Sequence, residues 1–360
     1  MQLKQLRIEN LRLIQALDLD LLPGWNLFLG ANGAGKTSLL EAAFLLSHGR
    51  SFRSAARDAL TRRGSGGFSI YGELLKSGAT LERVGIARTA GRLEARLNRE
   101  SVAIGELVRH VAVLCFEPGS HELIAGPSEE RRRFLDWGVF HVEQTFLADW
   151  RRYQRALRQR NALLRTEGGS SVDLDTWDHE LALAAEPLSR MRRRYFEALL
   201  PHLAQLSGEL LPELGAPRLQ FHPGFDDGLS LEEVLAVQRD RDRMRGHTGA
   251  GPHRADWSLG FENAPRREHL SRGQEKLCAF TCVMAQARLH AETTGEWPVI
   301  GLDDLAAEVD LPHQNRMLGI LAATGAQVLV TGTEESPALA QAGQPIGRFH
   351  VEQGRVTRLL

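Results

Sequence analysis

The chain has 360 residues, of which 42% are hydrophobic, and its 44 basic and 45 acidic side chains leave a formal net charge of −1 at pH 7. This length and apolar content can bury a large core and favour two lobes over one. The near-neutral balance carries no overall electrostatic sign of a nucleic-acid partner. No apolar run approaches the ~20 residues that span a bilayer, and the first residues lack the apolar core of a signal peptide, so we expect a cytoplasmic protein with no membrane partner.

The first part of the chain is expected to form short strands around one helix. Seven segments are predicted strands: 3–9, 14–21, 25–29, 68–75, 80–87, 92–97 and 111–115. The helix is expected from Lys36 to about Ser47. Segments 68–75, 80–87 and 92–97 alternate apolar and polar residues with Gly between them, which predicts an antiparallel meander on one flank.

The third predicted strand leads directly into a phosphate-loop motif, in the strand, loop, helix context that this motif requires. We expect positive φ at Gly30, Gly33 and Gly35, which would point successive N–H groups at the phosphates. Lys36 would neutralise the β- and γ-phosphates, and the Thr37 hydroxyl would be a ligand of Mg²⁺. The candidate nucleotide-binding residues are Gly30, Ala31, Asn32, Gly33, Ala34, Gly35, Lys36, Thr37 and Ser38.

A second acidic element should accompany the phosphate loop if a metal ion is held there. The run Pro298-Val299-Ile300-Gly301-Leu302-Asp303-Asp304 supplies it, as an apolar strand that ends in two carboxylates. We expect Asp303 to bind Mg²⁺, directly or through water. Asp304 is the candidate to polarise the attacking water, and with Lys36 it forms the candidate catalytic pair.

The middle of the chain changes to helical periodicity from Ser128 to about Glu213, with a break at Gly168-Gly169-Ser170-Ser171. Its apolar stripes are interpreted as the core of an inserted lobe. Further predicted elements are strands at 217–222, 327–331, 347–351 and 355–359 and helices at 231–244, 275–290 and 314–323. Strands alternating with helices around a phosphate loop predict an α/β fold with a mostly parallel sheet.

The stretch Leu270-Ser271-Arg272-Gly273-Gln274 opens a predicted helix and resembles the signature of ABC-type ATPases. Ser271, Gly273 and Gln274 would present a hydroxyl, a flexible backbone and a helix N-terminus to an anion. The resemblance implies that this signature closes over ATP held by the phosphate loop of a second copy, so the expected unit is an ATP-dependent homodimer. Glu308-Val309-Asp310 resembles the D-loop that reaches across the same interface.

Several motifs together resemble the RecF family of bacterial DNA replication and repair proteins. They are 3–12, Gly49-Arg50-Ser51-Phe52-Arg53, 128–137, Gly251-Pro252-His253-Arg254-Ala255-Asp256 and the signature. The resemblance covers essentially the whole chain. It implies an ABC-type ATPase head without long coiled-coil arms, formed by residues 1–125 and 246–360, with a mainly helical lobe inserted at 126–245. It also implies slow ATP hydrolysis, binding of duplex and gapped DNA, and loading of RecA with RecR and RecO as partners.

Two departures from other ABC-type ATPases bear on mechanism. Asp304 stands where a Glu is usual, which indicates slow hydrolysis, and Thr331-Gly332-Thr333 stands where transporters carry a switch His. The alternative of a transporter motor subunit is disfavoured by that difference and by the long inserted lobe. An arm-bearing SMC or Rad50-type protein is excluded by the length of the lobe.

Other features leave alternatives open. The loop arginines Arg50, Arg53, Arg57, Arg62 and Arg63, and the set Arg131, Arg132, Arg133, Arg151, Arg152, Arg155, Arg158 and Arg160, could bind phosphates or form a solvated surface. His253 and Arg254 could belong to a structural network, to the nucleotide site or to a dimer interface. The Q-loop falls near Phe116-Glu117-Pro118. Cys115, Cys278 and Cys282 match no metal-site spacing and are expected to be buried apolar residues.

Overall fold

A computed structural model describes residues 1–53, 57–166, 171–226 and 228–359 of the chain. The strands in this part are β1 Gln2–Leu11, β2 Ile14–Asp20, β3 Trp25–Leu29, β4 Gly67–Leu75, β5 Leu81–Thr89, β6 Arg92–Leu97, β7 Glu100–Val102, β8 Val113–Phe116, β9 Pro217–His222, β10 Asp256–Phe261, β11 Val299–Leu302, β12 Val328–Gly332, β13 Ile346–Glu352 and β14 Arg355–Arg358.

The α-helices are α1 Lys36–His48, α2 Ile104–His110, α3 Glu122–Ala125, α4 Ser128–Val142, α5 Phe146–Leu164, α6 Ser171–Leu210, α7 Leu231–Arg245, α8 Arg272–Thr294, α9 Leu305–Glu308, α10 Leu311–Ala322 and α11 Pro337–Gln341. None of the helices in the described ranges is both long enough and apolar enough to cross a bilayer.

The chain divides into two compact units. The first comprises Met1–His121, Gln205–Pro212 and Ser271–Leu360, and the second comprises Glu122–Ala204 and Glu213–Leu270. Residues 246–270 therefore group with the helical unit, although the domain boundaries expected from the sequence assign them to the ATPase head. The reason is strand pairing, because β10 pairs antiparallel with β9.

The first unit contains a six-stranded sheet in the order β14-β13-β3-β12-β11-β8. All neighbouring pairs are parallel except β13 with β14, which confirms the predicted α/β fold with a mostly parallel sheet. The central strands β3, β11 and β12 are almost wholly buried apolar runs, as expected for parallel strands covered on both faces. Their carboxyl ends meet at one edge of the sheet, where ligands bind in open α/β sheets.

A second six-stranded sheet, in the order β2-β1-β4-β5-β6-β7, is antiparallel throughout and contains the predicted meander β4-β5-β6. Helix α1 contacts strands of both sheets, and its residues are buried nearly all round. A helix that is buried on nearly every side belongs inside a protein, which explains its Leu, Ala and Phe residues on both sides of Glu41. The start of α1 is thereby held in a fixed position relative to the carboxyl ends of β3 and β12.

The second unit is built mainly from helices, as the periodicity after Ser128 predicts. Helices α4, α5, α7 and most of α6 form it, together with the antiparallel pair of β9 and β10. Buried Leu, Tyr and Phe side chains of α5 and α6 lie at helical spacing and make the core of the unit. The predicted break at 168–171 lies mostly outside the described residues.

Candidate functional site

The phosphate loop lies between β3 and α1, and two of its glycines adopt left-handed backbone conformations. Gly33 has φ 78° and Gly35, the N-cap of α1, has φ 109°. Positive φ at Gly30 was a wrong expectation, because this residue is not among those with positive φ. Gly30 is required for close packing instead, since a Cβ there would lie 2.1 Å from the Val351 carbonyl oxygen.

Lys36 opens α1 and points back into the loop. Its side chain is only 7% exposed, and its Nζ donates hydrogen bonds of 2.8 Å to the Gly30 carbonyl and 3.0 Å to the Ala31 carbonyl. Ala31, Asn32 and Gly33 are exposed at the rim of the loop. The ammonium group therefore sits inside a loop whose outer residues are open to an incoming anion.

The remaining members of the predicted loop are held more deeply. Ala34 is buried, and its carbonyl accepts a hydrogen bond of 2.8 Å from the backbone N–H of Gly354. The Ser38 side chain is buried in the first turn of α1, and its N–H donates to the Gly35 carbonyl at 3.0 Å. These contacts fix the shape of the loop from below.

Thr37 and Asp303 are brought together although they stand far apart in the sequence. The Thr37 hydroxyl lies 3.0 Å from both carboxylate oxygens of Asp303, which follows β11 and is 4% exposed. Burial raises the pKa of Asp303, an effect opposed by the hydrogen bonds from Thr331 and Thr37 and by the positive charge of Arg53. The predicted pair of magnesium ligands is therefore adjacent in space.

Thr331, at the end of β12, is a member of this site that the sequence analysis did not identify. Its hydroxyl donates to Asp303 Oδ1 at 2.6 Å and accepts from the backbone N–H of Asp304 at 3.1 Å. It lies there because β12 separates β3 from β11 in the sheet. The only sequence signal for Thr331 is its position at the end of an apolar strand, where transporters carry the switch His.

Asp304 has φ 53°, a left-handed conformation that Asp tolerates better than most residues. It is the N-cap residue of α9, but its side chain makes no capping hydrogen bond. Asp304 is half-buried and directly follows Asp303 in the sequence.

The donor set suits Mg²⁺. A hydroxyl and a carboxylate oxygen are the hard ligands that this ion prefers, and it ordinarily keeps several waters and substrate phosphate oxygens in its coordination shell. Within the described ranges, no group of three or more His, Cys, Asp or Glu residues could hold a metal ion. Thr37 and Asp303 therefore fit an ion that binds together with a phosphate ligand.

The predicted signature lies at the N-terminus of α8. Ser271 is the N-cap, and a capping box joins it to Gln274: the Gln274 N–H donates to the Ser271 hydroxyl at 3.3 Å, and the Ser271 N–H donates to Gln274 Oε1 at 3.0 Å. Ser271 and Gly273 are exposed. Neither residue hydrogen-bonds to residues 30–38 in the part of the chain that is described. The helix terminus is therefore open to an external anion.

The D-loop-like segment is tied to the signature helix. Lys276 of α8 forms an ion pair of 2.7 Å with Glu308 and also donates to its backbone carbonyl at 3.2 Å. Asp310 is the N-cap of α10 and accepts from the His313 N–H at 3.0 Å. The signature and this segment thus belong to one connected surface of the first unit.

A buried ion pair organises the segment after α1. Glu41 is fully buried and binds Arg12 through two hydrogen bonds of 3.0 and 2.7 Å. The Ser51 hydroxyl also donates to Glu41, and it accepts from the Arg53 backbone N–H at 2.9 Å. The arginines of this loop therefore differ in their surroundings. Arg53 lies where its positive charge lowers the pKa of Asp303. Arg62 instead donates a hydrogen bond to the Leu13 carbonyl. The Arg57 side chain lies outside the part of the structure that is described.

His253 is held by contacts within the second unit. Nδ1 of His253 lies 2.6 Å from the Tyr153 hydroxyl, and Nε2 lies 3.1 Å from the Thr248 carbonyl. Burial lowers the pKa of His253 to about 4, so the ring is neutral. A neutral ring bonded on both sides forms part of a structural network.

Cys278 and Cys282 are fully buried and Cys115 is partly buried, in line with the expected apolar role.

The family described as RecF/RecN/SMC N terminal domain matches residues 2–357. The DNA replication and repair protein RecF of Stenotrophomonas maltophilia is 49% identical, with 99% of each chain covered, and that of Azotobacter vinelandii is 37% identical, with 99% of each covered. A solved structure of the recombination mediator protein RecF with ATP, from the RecFOR pathway, matches with TM-score 0.90 and 25% identity over 100% of this chain and 98% of that one. An Smc head bound to the C-winged helix domain of ScpA shares the fold, with TM-score 0.62 and 14% identity over 100% and 98%.

Proposed function

Because this chain belongs to the RecF family of the RecF/RecN/SMC group, we propose that it is an ATP-dependent DNA-binding protein of recombinational repair with a slow ATPase activity. The observation that carries this proposal is the convergence of Lys36, Thr37 and Asp303 at the carboxyl edge of the parallel sheet. A loop with an internal ammonium beside a hydroxyl and carboxylate pair is suited to a nucleoside triphosphate with its metal ion. The solved RecF structure with ATP supports the same ligand.

Each residue of the site has a proposed role in binding ATP. The N–H groups of the loop and the start of α1 bind phosphate oxygens, and Lys36 neutralises the β- and γ-phosphates. Thr37 and Asp303 hold Mg²⁺, which when bound neutralises charge that develops on the phosphate oxygens. The Thr331 hydroxyl keeps Asp303 in position by a hydrogen bond of 2.6 Å.

Asp304 is proposed to orient and polarise the attacking water. Its backbone N–H donates a hydrogen bond of 3.1 Å to the Thr331 hydroxyl, which fixes the position of the backbone that carries the side chain. An aspartate side chain is one methylene shorter than the glutamate usual in ABC-type relatives, which would leave it farther from the water. We therefore propose slow hydrolysis, in which ATP gates assembly rather than driving a motor.

The proposed active unit is a homodimer with two shared sites. The N-terminus of α8 is exposed, and Ser271 and Gly273 make no hydrogen bond to the phosphate loop of their own chain. A second copy could place its bound γ-phosphate on that terminus, where N–H groups and the Ser271 hydroxyl are available. The ion pair of Lys276 and Glu308 would carry the D-loop-like segment to the same interface.

The proposed partners follow from the family. Duplex and gapped DNA would be the substrates, and RecR with RecO would act beside the protein to load RecA. The solved RecF structure is that of a recombination mediator of the RecFOR pathway, which supports this context. Such a role would place the protein with the bacterial chromosome in the cytoplasm.

A binding experiment on three DNAs tests the proposal. Duplex, single-stranded and gapped oligonucleotides would be titrated with the protein in the presence of ATP with Mg²⁺, of ADP with Mg²⁺, and of no nucleotide. We expect duplex and gapped DNA to bind only with ATP, and the affinity to fall steeply with salt, because a near-neutral chain must use local arginines. Equal binding with ATP and ADP would show that the nucleotide does not gate DNA binding.

A further inference from the structure

The structure separates the arginines of α4 and α5 into those with partners and those without. Five are held by groups of the second unit: Arg131 by Asp256, Arg132 by Ser128 and the Ala255 carbonyl, Arg133 by Glu129 and Glu130, Arg152 by Glu180, and Arg160 by Asp178 and Asp242. These five stabilise the unit itself. Their guanidinium groups are therefore already bound within the chain.

Three arginines of α5 remain: Arg151, Arg155 and Arg158, which we call the arginine face. All three are exposed, and none forms an ion pair with a carboxylate anywhere in the described ranges. Their spacing of four and then three residues places them within an arc of about 60° on the helix, over a rise of about 10 Å. They form one continuous strip of positive charge along a single helix.

The rest of α5 keeps this strip free of negative charge. Asp149 is the only acidic residue between Phe146 and Leu164, and it lies about 160° around the helix from Arg151. The opposite side of α5 is packed into the unit through buried Tyr153 and Leu157. The arginine face therefore stands on a helix that is held rigidly from behind.

The arginines beside the arginine face are bound to other groups of the second unit. On one side Arg152 is paired with Glu180 at 2.8 Å, and at the end of α5 the Arg165 guanidinium donates to the Gly246 carbonyl at 3.0 Å. Three like charges at this spacing repel each other when no anion is present. A row of anions laid along α5 would relieve that repulsion.

We propose that the arginine face binds the phosphate backbone of duplex DNA. This inference rests on the proposed function and assigns a surface to it. Guanidinium groups recognise phosphates through paired N–H donors, and each phosphate neutralised releases counterions, which favours binding. The strip offers three such groups in a chain whose net charge is only −1.

Duplex DNA fits this face better than a single strand. Binding of unpaired bases usually requires aromatic side chains on which they stack. The nearest exposed aromatic residue on α5, Trp150, lies about 100° around the helix from Arg151. The face thus offers charge without a stacking platform, which suits contact with phosphates alone.

The test compares two triple variants that change net charge equally. The face variant carries Arg151→Gln, Arg155→Gln and Arg158→Gln. The control carries Arg133→Gln, Arg190→Gln and Arg194→Gln. Arg133 is half-buried, Arg190 and Arg194 are exposed, and each is paired with a glutamate in the same unit. Duplex affinity would be measured with ATP and Mg²⁺ over a series of salt concentrations. Circular dichroism would report that the helices of the second unit are folded in each variant, and ATP affinity would report the same for the first unit.

We expect the face variant to bind duplex DNA about tenfold or more weakly than the wild type. The slope of log affinity against log salt concentration should become less steep by about three, because about three phosphate contacts are lost. The control should resemble the wild type in both quantities. Duplex binding by the face variant equal to that of the wild type would overturn the assignment of this surface. An equal loss in the control would overturn it too, because general charge would then suffice. A wild type that holds no duplex with ATP would instead refute the proposed function itself.

Discussion

Thr331 donates a hydrogen bond of 2.6 Å to Asp303 and at the same time accepts one of 3.1 Å from the backbone N–H of the next residue, Asp304. One buried hydroxyl thus holds both the carboxylate proposed to bind Mg²⁺ and the residue proposed to polarise water. A group that fixes two functional neighbours should affect turnover more than ATP binding. Thr331 is accordingly a positioning residue of the site.

Replacing Thr331 by Val keeps the shape of the side chain but removes the hydroxyl. We expect kcat for ATP hydrolysis to fall by about 10- to 100-fold, as for other groups that orient metal ligands. Because the hydrogen bond from Thr331 lowers the pKa of Asp303 against the effect of burial, its loss should also raise that pKa and increase the Mg²⁺ requirement at lower pH.

The matched variant is Thr331→Ser, which restores the hydroxyl and should recover most of the rate. Steady-state hydrolysis would be measured against Mg²⁺ concentration at several pH values. A Val variant with unchanged kcat and unchanged Mg²⁺ dependence would remove Thr331 from the mechanism.

Lys36→Met and Asp304→Asn should have different effects. Loss of the ammonium inside the loop removes charge that acts on the bound phosphates, so ATP affinity should fall by about tenfold or more. Asn at 304 should keep ATP affinity but reduce hydrolysis by about 10²-fold, and so accumulate the ATP-bound dimer. Equilibrium nucleotide binding and single-turnover hydrolysis separate the two. An equal loss of affinity in both variants would exclude Asp304 as the group that polarises water.

Ser271→Arg should block dimerisation without blocking ATP binding to one chain. The substitution puts a bulky charged side chain at the exposed N-terminus of α8, where the γ-phosphate of a second copy is proposed to dock. Sedimentation with ATP and Mg²⁺ should show a dimer for the wild type and a monomer for the variant, while ADP leaves both monomeric.

Its control is Ser230→Arg. Ser230 caps α7 with the same kind of capping box, so this change costs a comparable ~1 kcal/mol of helix stability in the second unit. If the control still forms the dimer, the loss of dimerisation in Ser271→Arg is specific to position 271. A Ser271→Arg protein that dimerises normally would refute the shared site.

The partly buried His253 should make the free energy of unfolding depend on pH. Burial first, and then the charges of Arg254 and Arg132, lower its pKa from 6.5 to about 4, so the unfolded chain binds the proton more readily than the folded one. The stability contributed by the neutral ring is present above pH 6.5. It should be lost as the pH falls toward 4, by up to about 3 kcal/mol.

Urea unfolding of the wild type and of His253→Gln across this range measures the effect, which should be smaller in the variant. Tyr153→Phe removes the hydrogen bond to Nδ1 but retains the burial, so it should keep most of the pH dependence. A pH dependence identical in the wild type and in His253→Gln would show that other groups cause it.

Much of the fold and part of the site could be predicted from local pattern. The strand, glycine loop and helix around Lys36 are encoded within about twenty consecutive residues, and their geometry depends on short-range rules. The apolar runs of β3, β11 and β12 likewise indicate buried parallel strands. Helix α8 begins three residues earlier than expected, at Arg272, because the Ser271 capping box starts it there.

Other parts of the site depended on which strands become neighbours. Gly30 was expected to need positive φ, but its constraint is the Val351 carbonyl, which β13 brings against the loop. Thr331 joined the site only because β12 lies between β3 and β11. Strand order and close packing arise from contacts between distant residues, and no local pattern specifies them.

The sequence by itself determined the class of this protein, through a phosphate loop, an acidic strand and a signature whose chemistry is set by residue type and spacing. Only the tertiary structure decided how Thr331 is used and which arginines keep their charge exposed. Arg160 and Arg158 are two residues apart on the same helix, yet one is buried between Asp178 and Asp242 and the other faces solvent. The pairing of a charge depends on what packs against each side of a helix, and that is settled only when the chain has folded.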